Sequence, residues 1–121
     1  GLLAYSPLAQ GTLTGKYLGG QMPQGSRLAL FGDGPLMMRY KGDKTQQAIE
    51  MYVNLAKKYE IDPAQLAIQF CNIQPFVTST IIGATTMEQL KTCIDSVDLD
   101  ITKEIINEIR SIHKEIPNPA P

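Results

Sequence analysis

Leu2-Leu3-Ala4-Tyr5, followed at once by Ser6-Pro7-Leu8-Ala9-Gln10-Gly11, is the stretch that decides the fold. A short, wholly apolar run is the signature of a parallel strand buried on both faces. It feeds straight into a loop suited to holding a ligand. Ser6 supplies a hydroxyl, Pro7 stiffens the turn, and Gly11 permits close approach of backbone. Lys16 follows, and Arg27 lies further on; both offer positive charge to a phosphate. The plainer alternative is a turn followed by solvated cations, because glycine-bearing loops are common. A chain that opens inside such a strand is expected to lack what precedes it in a longer protein.

A second strand-and-loop unit lies downstream. Val77 to Ala84 contains the expected strand, centred on Thr80-Ile81-Ile82 and ended by Gly83. Thr85-Thr86-Met87-Glu88-Gln89 then starts a helix with two overlapping capping boxes, Thr85 to Glu88 and Thr86 to Gln89. Free amides and the helix dipole make such an end favourable for anions. Thr85 and Thr86 can add hydroxyls, and Gln89 lies one turn inside. An ordinary capped helix is the competing reading. Leu90, Ile94 and Val97 are expected to line one face of this helix.

Between the two units runs a turn-rich stretch from Gly15 to about Lys44, long enough to suggest a lid or binding loop. Its Leu30, Phe31, Leu36, Met37 and Met38 need an apolar surface to rest on. From Thr45 to Tyr59 the pattern is helical, with Ala48, Met51, Tyr52, Leu55, Ala56 and Tyr59 on one stripe. Asp62 and Pro63 read as N-cap and first residue of another helix, with Leu66, Ala67, Phe70 and Cys71 facing inward and Pro75 closing it. Thr102 caps a last helix with an Ile105, Ile109, Ile112, Ile116 stripe. Pro117, Pro119 and Pro121 predict a stiff, extended tail.

Composition excludes several functions. The 121 residues are 43% hydrophobic and 19% charged, which is globular. A net charge of −1 gives no bulk attraction to nucleic acid or to an anionic membrane. No apolar run approaches the ~20 residues that span a bilayer, and no secretory signal is visible. Cys71 and Cys93 are too few for a disulfide framework and lack metal-site spacing, so they read as small core hydrophobes in a reducing, cytoplasmic compartment. His113, the single histidine, reads as a surface or last-turn residue rather than a base.

The order strand, loop, helix, helix, strand, helix, helix makes this an α/β chain whose two strands should be parallel. Two parallel strands are not a stable sheet, and parallel sheets need neighbours on both sides. Both candidate loops fall at the carboxyl ends of consecutive strands, the edge where α/β folds place ligands. In a (β/α)₈ barrel the loops after strands 7 and 8, with a helix N-terminus, frequently form a phosphate site.

The residues also carry a family resemblance. Tyr5-Ser6-Pro7-Leu8-Ala9-Gln10-Gly11-Thr12-Leu13-Thr14-Gly15-Lys16-Tyr17 resembles the strand-7 segment of the aldo-keto reductases. Ser79-Thr80-Ile81-Ile82-Gly83-Ala84-Thr85-Thr86-Met87-Glu88-Gln89-Leu90-Lys91 resembles their strand-8 segment. The ending from Ile112-His113 to Pro119-Ala120-Pro121 is similar to that of the bacterial Tas-like branch. The resemblance covers essentially the whole chain. It implies that residues 1–121 are one partial domain, the C-terminal part of a (β/α)₈ barrel that reduces aldehydes and ketones with NADPH.

The resemblance further implies roles for matching positions. Ser6, Pro7, Leu8, Ala9, Gln10 and Gly11 would wrap the cofactor pyrophosphate, largely through backbone. Lys16 and Arg27 would add charge near the phosphates. Gly83, Thr85 and Gln89 would contact the adenosine end and its 2′-phosphate. Where the family often carries an acidic or polar residue followed by Asn, this helix has Thr92 and Cys93. The family's catalytic Asp, Tyr, Lys and His lie upstream of strand 7, so no residue here is a catalytic candidate and no metal ligand is expected. The expected partner is a small carbonyl substrate, met only in a full-length context. The competing expectation is a catalytically inactive short chain that binds nucleotide or pairs with another chain. A third, a regulatory subunit like the potassium-channel β subunits of this superfamily, is disfavoured by the Tas-like ending.

Overall fold

The computed structural model of the chain describes residues 1–32 and 34–121; Asp33, within the turn-rich stretch, lies outside the described residues. Strand β1 (Leu2–Ala4) pairs in parallel with β2 (Val77–Thr80). The register sets Leu2 against Val77, then Leu3 against Ser79 and Ala4 against Thr80, so Thr78 is bulged out. The Ile81 amide donates to the Ala4 carbonyl at 2.8 Å and ends the pairing. The second strand is therefore centred earlier than Thr80-Ile81-Ile82. Its partner stops at Ala4 because the chain turns at Ser6, whose φ is 54°.

Leu2-Leu3 has the composition of a strand buried on both faces, but two strands without further neighbours leave it partly uncovered. Leu2, Leu3 and Ile81 are 46%, 61% and 47% exposed, since no further strand or helix covers them among the described residues.

The core lies on the helical side. Helix α3 (Asp43–Lys58) buries Ala48, Leu55 and Ala56 as its spacing predicts. It also buries Ile49 and Val53, while Met51, Tyr52 and Tyr59 are only half-buried. The stripe is wider than one seam because a second neighbour, the loop after β1, packs on it: a Cβ at Gly15 would stand 3.1 Å from Val53. Helix α4 (Pro63–Asn72) starts as the sequence specifies, with the Asp62 carboxylate accepting from the amides of Ala64 and Gln65. Its buried residues are Ala64, Leu66, Ile68 and Gln69, whereas Ala67, Phe70 and Cys71 are half-buried. A buried Gln needs partners. Gln69 donates to the Leu99 carbonyl at 3.1 Å and accepts from Asn72 at 3.0 Å.

Thr102 caps α6 (Lys103–Glu115) by accepting from the Ile105 amide. Ile105, Ile109 and Ile112 join Leu55, Ala56, Leu66 and Ile101 in one cluster. Each such isoleucine stabilises the fold by roughly 1.5–3 kcal/mol of burial. At the rim, Lys58 and Tyr59 both donate to the Glu108 carboxylate and clasp α6 to the end of α3.

The structure also settles which face of the next helix is buried, and it corrects the tail. In α5 (Met87–Asp95) and the 3₁₀ turn that follows it (Ser96–Asp98), the inward residues are Cys93 and Ser96, at 5% and 0% exposure. Ile94 and Val97 are 55% and 62% exposed and Leu90 is half-buried, so the apolar stripe faces away from the core. The tail is not simply extended. Asn118 takes a φ of 51° and turns it back, so that Arg39 donates to the Ala120 carbonyl at 2.7 Å and Thr45 to that of Pro119.

The turn-rich stretch carries short helices α1 (Arg27–Phe31) and α2 (Pro35–Met38). Met37 is buried, while Leu30, Phe31, Leu36 and Met38 remain exposed. Cys71 and Cys93 are free thiols within helices, and burial pushes both thiols above their ordinary pKa. His113 lies exposed in the last turn of α6. Among the described residues, no helix is long and apolar enough to cross a membrane.

Candidate functional site

The loop after β1 is held in an unusual backbone conformation. Ser6, Ala9 and Gln10 have φ of 54°, 49° and 60°, and Gly11 has 90°. Non-glycine residues rarely adopt such angles, and each costs on the order of 1–3 kcal/mol unless the surroundings impose it. Here they do. The amides of Ala9, Gly11 and Leu13 turn inward to the carbonyls of Ser6, Leu8 and Leu8. Thr12 and Thr14 donate their hydroxyls to the carbonyls of Ala9 and Gly11, each at 2.8 Å. Gln10 reaches back to the Ser6 hydroxyl at 3.4 Å. Backbone strain of this kind clusters at ligand-binding loops, which makes this loop a candidate site.

Lys16 folds back over this loop. A Cβ placed at Gly11 would stand 3.1 Å from its ammonium nitrogen. The same ammonium lies 5.2 Å from the ring centroid of Tyr17, a cation–π contact. Tyr17 is buried, and its hydroxyl accepts from the Leu28 amide at 3.4 Å. That bond ties the loop to α1, which Ser26 caps and Arg27 opens. Arg27 itself is exposed. Lys16 and Arg27 are thus carried by elements that Tyr17 joins.

The loop after β2 is built differently. Thr86 is the N-cap of α5, its hydroxyl accepting from the Gln89 amide at 3.1 Å. The Gln89 side chain accepts from the Thr85 amide at 3.0 Å and its hydroxyl at 3.1 Å. Of the two possible capping boxes only half of the Thr86 one forms: Thr86 caps Gln89, but the Gln89 side chain accepts from Thr85 in place of the N-cap amide. Thr85 and Gln89 are brought together as expected, on an exposed helix end. A side chain at Gly83 would meet nothing within 4 Å. Cys93 turns into the core and is not presented to this loop.

The two loops leave adjacent parallel strands at the same end, where Ile81 bonds Ala4. Ser6, Pro7, Leu8, Ala9, Gln10 and Gly11 form one lip, and Gly83, Thr85 and Gln89 belong to the other. Sequence reasoning did not single out Tyr17, Thr12 or Thr14 as parts of the site. The Thr-Leu-Thr spacing after Gly11 was the available signal, since hydroxyls three residues on from turned carbonyls can bond them.

The sequence pattern of the aldo/keto reductase family matches residues 1–114. This chain belongs to the aldo/keto reductase family. It is 49% identical over 120 residues to "Protein tas" of Escherichia coli strain K12, covering 99% of this chain and 34% of that protein. It is 39% identical over 116 residues to an "Aldo-keto reductase" of Babesia bovis, covering 93% of this chain and 40% of that one. It is also similar, at 35% identity over 119 residues, to a "Probable voltage-gated potassium channel subunit beta" of Oryza sativa subsp. japonica, covering 97% and 36%. The chain therefore spans between 34% and 40% of the length of these three relatives. Among the described residues, no group of three or more His, Cys, Asp or Glu is placed to hold a metal ion.

Proposed function

We propose that this chain is the cofactor-clamping strand-7 to strand-8 portion of a (β/α)₈ barrel, in an NADPH-dependent reductase of aldehydes and ketones. The observation that carries the reading is the pair of loops at one end of two adjacent parallel strands, one strained and topped by a lysine, the other a helix N-terminus. A two-stranded sheet with exposed Leu2, Leu3 and Ile81, in a chain a third as long as its relatives, supports the barrel-fragment part of it.

The residues present fit a dinucleotide bearing several phosphates. Lys16 and Arg27 supply cations, the latter in a form that can engage phosphate through two bonds. The α5 N-terminus supplies a favourable dipole for the adenosine 2′-phosphate beside Thr85 and Gln89. The empty space around Gly83 lets a ligand approach the backbone. The amides of Ala9 and Gly11 are spent on internal bonds, so their part is to fix the lip rather than to bind. When bound, the cofactor supplies the hydride. This chain's own contribution is to hold and orient its phosphate-bearing half; proton donation to the carbonyl belongs, by the family resemblance, to residues outside it. A reducing, cytoplasmic setting is proposed with this reading.

The test is a fluorescence titration of the protein expressed from its own gene with NADPH and, separately, NADH. Saturable binding with NADPH preferred is expected. Absence of binding to either nucleotide overturns the reading.

A further inference from the structure

The polypeptide turns back on itself after α6. Ile116 makes the last helical bond, its amide donating to the Ile112 carbonyl at 2.9 Å. Pro117, Pro119 and Pro121 lack an N–H, so what this segment can offer a partner is mostly carbonyl oxygen. Asn118 makes the turn with a φ of 51°, an angle that asparagine tolerates better than most residues. Pro117 and Asn118 are exposed, whereas Pro119 and Ala120 beyond them are half-buried. Their carbonyls accept from the Thr45 hydroxyl and, at 2.7 Å, from the Arg39 guanidinium. Thr45 is buried in the first turn of α3, and Arg39 closes α2. Gln46 fastens the turn between those two helices by donating to the Tyr40 carbonyl at 2.6 Å.

We infer that residues 117–120 are a strap: they fasten α2 to the start of α3, and so hold in place the turn-rich stretch that carries Arg27 beside the nucleotide. The inference rests on the reading of that stretch as part of a dinucleotide site. Three observations carry it. First, α2 has little buried surface of its own. Met37 is 4% exposed, but Leu36 and Met38 on either side are 61% and 62% exposed. An element with so little apolar burial opens readily unless something fastens it. Second, the stretch is tied at its near end, where Tyr17 accepts from the Leu28 amide, and the strap ties its far end. Third, the two strap bonds join residues 81 and 74 positions apart, a constraint that no local turn provides. Both donors give to neutral carbonyls, and each such bond is of modest net strength. The strap can therefore let go while the isoleucine core behind it stays folded.

Amide hydrogen exchange on the protein expressed from its own gene, stripped of nucleotide, tests the strap directly. The Met37, Met38 and Tyr40 amides are bonded within α2 and the turn after it, and the Leu66 and Ile106 amides within core helices. Arg39→Ala and Thr45→Val should each speed exchange of the first three about tenfold, the size of one lost hydrogen bond. Leu66 and Ile106 should keep the parent's rates. Thr45→Ser, which retains the hydroxyl, should behave as the parent. Asn118→Val changes neither donor, but a β-branched residue resists the left-handed angle, so the strap should come away and α2 open as in the other two. Unchanged α2 exchange in Asn118→Val overturns the inference. Exchange that quickens equally in α2 and the core also overturns it, since that is a general loss of stability. Stopped-flow release of NADPH reads the link to the site. The three loosened variants should release it up to about tenfold faster, the factor by which the stretch opens. Release at the parent's rate overturns the coupling to Arg27. A protein that binds no NADPH overturns the nucleotide reading and that coupling together, whereas the exchange result still decides the strap.

Discussion

The ammonium of Lys16 lies 3.1 Å from the point where a Cβ on Gly11 would stand, so the glycine and the lysine share one space. Gly11→Ala should therefore do two things. The φ of 90° is the larger cost, about 1–3 kcal/mol of stability. The steric clash is the smaller one, because the lysine end is flexible and swings aside. Thermal melts of the protein expressed from its own gene should register the first, and weakened NADPH binding the displacement of Lys16. Unchanged stability would mean that the loop relaxes out of its left-handed conformation.

Lys16→Ala and Arg27→Ala should each weaken NADPH binding about tenfold, the size of one lost charge-assisted hydrogen bond. Salt should weaken the variants less than the parent, since one charged contact fewer is left to screen. Titrations at two ionic strengths check this. A Lys16→Ala protein with undiminished affinity would remove the lysine from the site.

The Lys58–Glu108–Tyr59 clasp makes stability depend on pH. Hydrogen bonds, from Lys58 first and then Tyr59, hold the Glu108 carboxyl below its ordinary pKa. Its contribution is complete above the unfolded value of about 4.3 and is lost as pH falls through the lowered folded value. The bond to Glu108 raises Lys58 and Tyr59, so their contributions are present below their ordinary values and lost as pH rises through the raised ones. Glu108→Gln should flatten the acid side of the melting-temperature profile. A profile unchanged by the substitution would show that the clasp adds nothing to stability.

Ile109→Ala removes the middle of the α6 stripe from the main core cluster. The expected cost is about 2–5 kcal/mol, read from urea unfolding. Ile94→Ala should cost far less, because that residue is 55% exposed. A reversal of this order would mean that the buried face of α5 or α6 has been misassigned.

The elements that were legible in the sequence are those whose signals are local. Asp62-Pro63 and Thr102 specify helix starts through their own side chains, and Ile105, Ile109, Ile112 and Ile116 repeat at a helical period with nothing competing. Reading failed where burial is decided by something distant. Leu90, Ile94 and Val97 have as good a period, yet Cys93 and Ser96 are the residues buried there. Ile49 and Val53 lie off the expected stripe because a second neighbour packs on α3. In the site, Thr85 and Gln89 were legible as a cap. The left-handed run through Ala9, Gln10 and Gly11 was not, since only the glycine announces such an angle. Tyr17 gave no signal because its role depends on Leu28, eleven residues away.

Tyr17 also makes the loop observable. These 121 residues contain no tryptophan, so within them tyrosine absorption and emission are not masked. The Lys16 charge rests on the Tyr17 ring, whose hydroxyl is engaged by a backbone amide. A ligand that draws the lysine off the ring changes that chromophore's electrostatic surroundings directly. Near-ultraviolet difference spectroscopy, with Tyr17→Phe as the control that shifts the band, thus gives a label-free optical report on whether the lip of the site has closed on something.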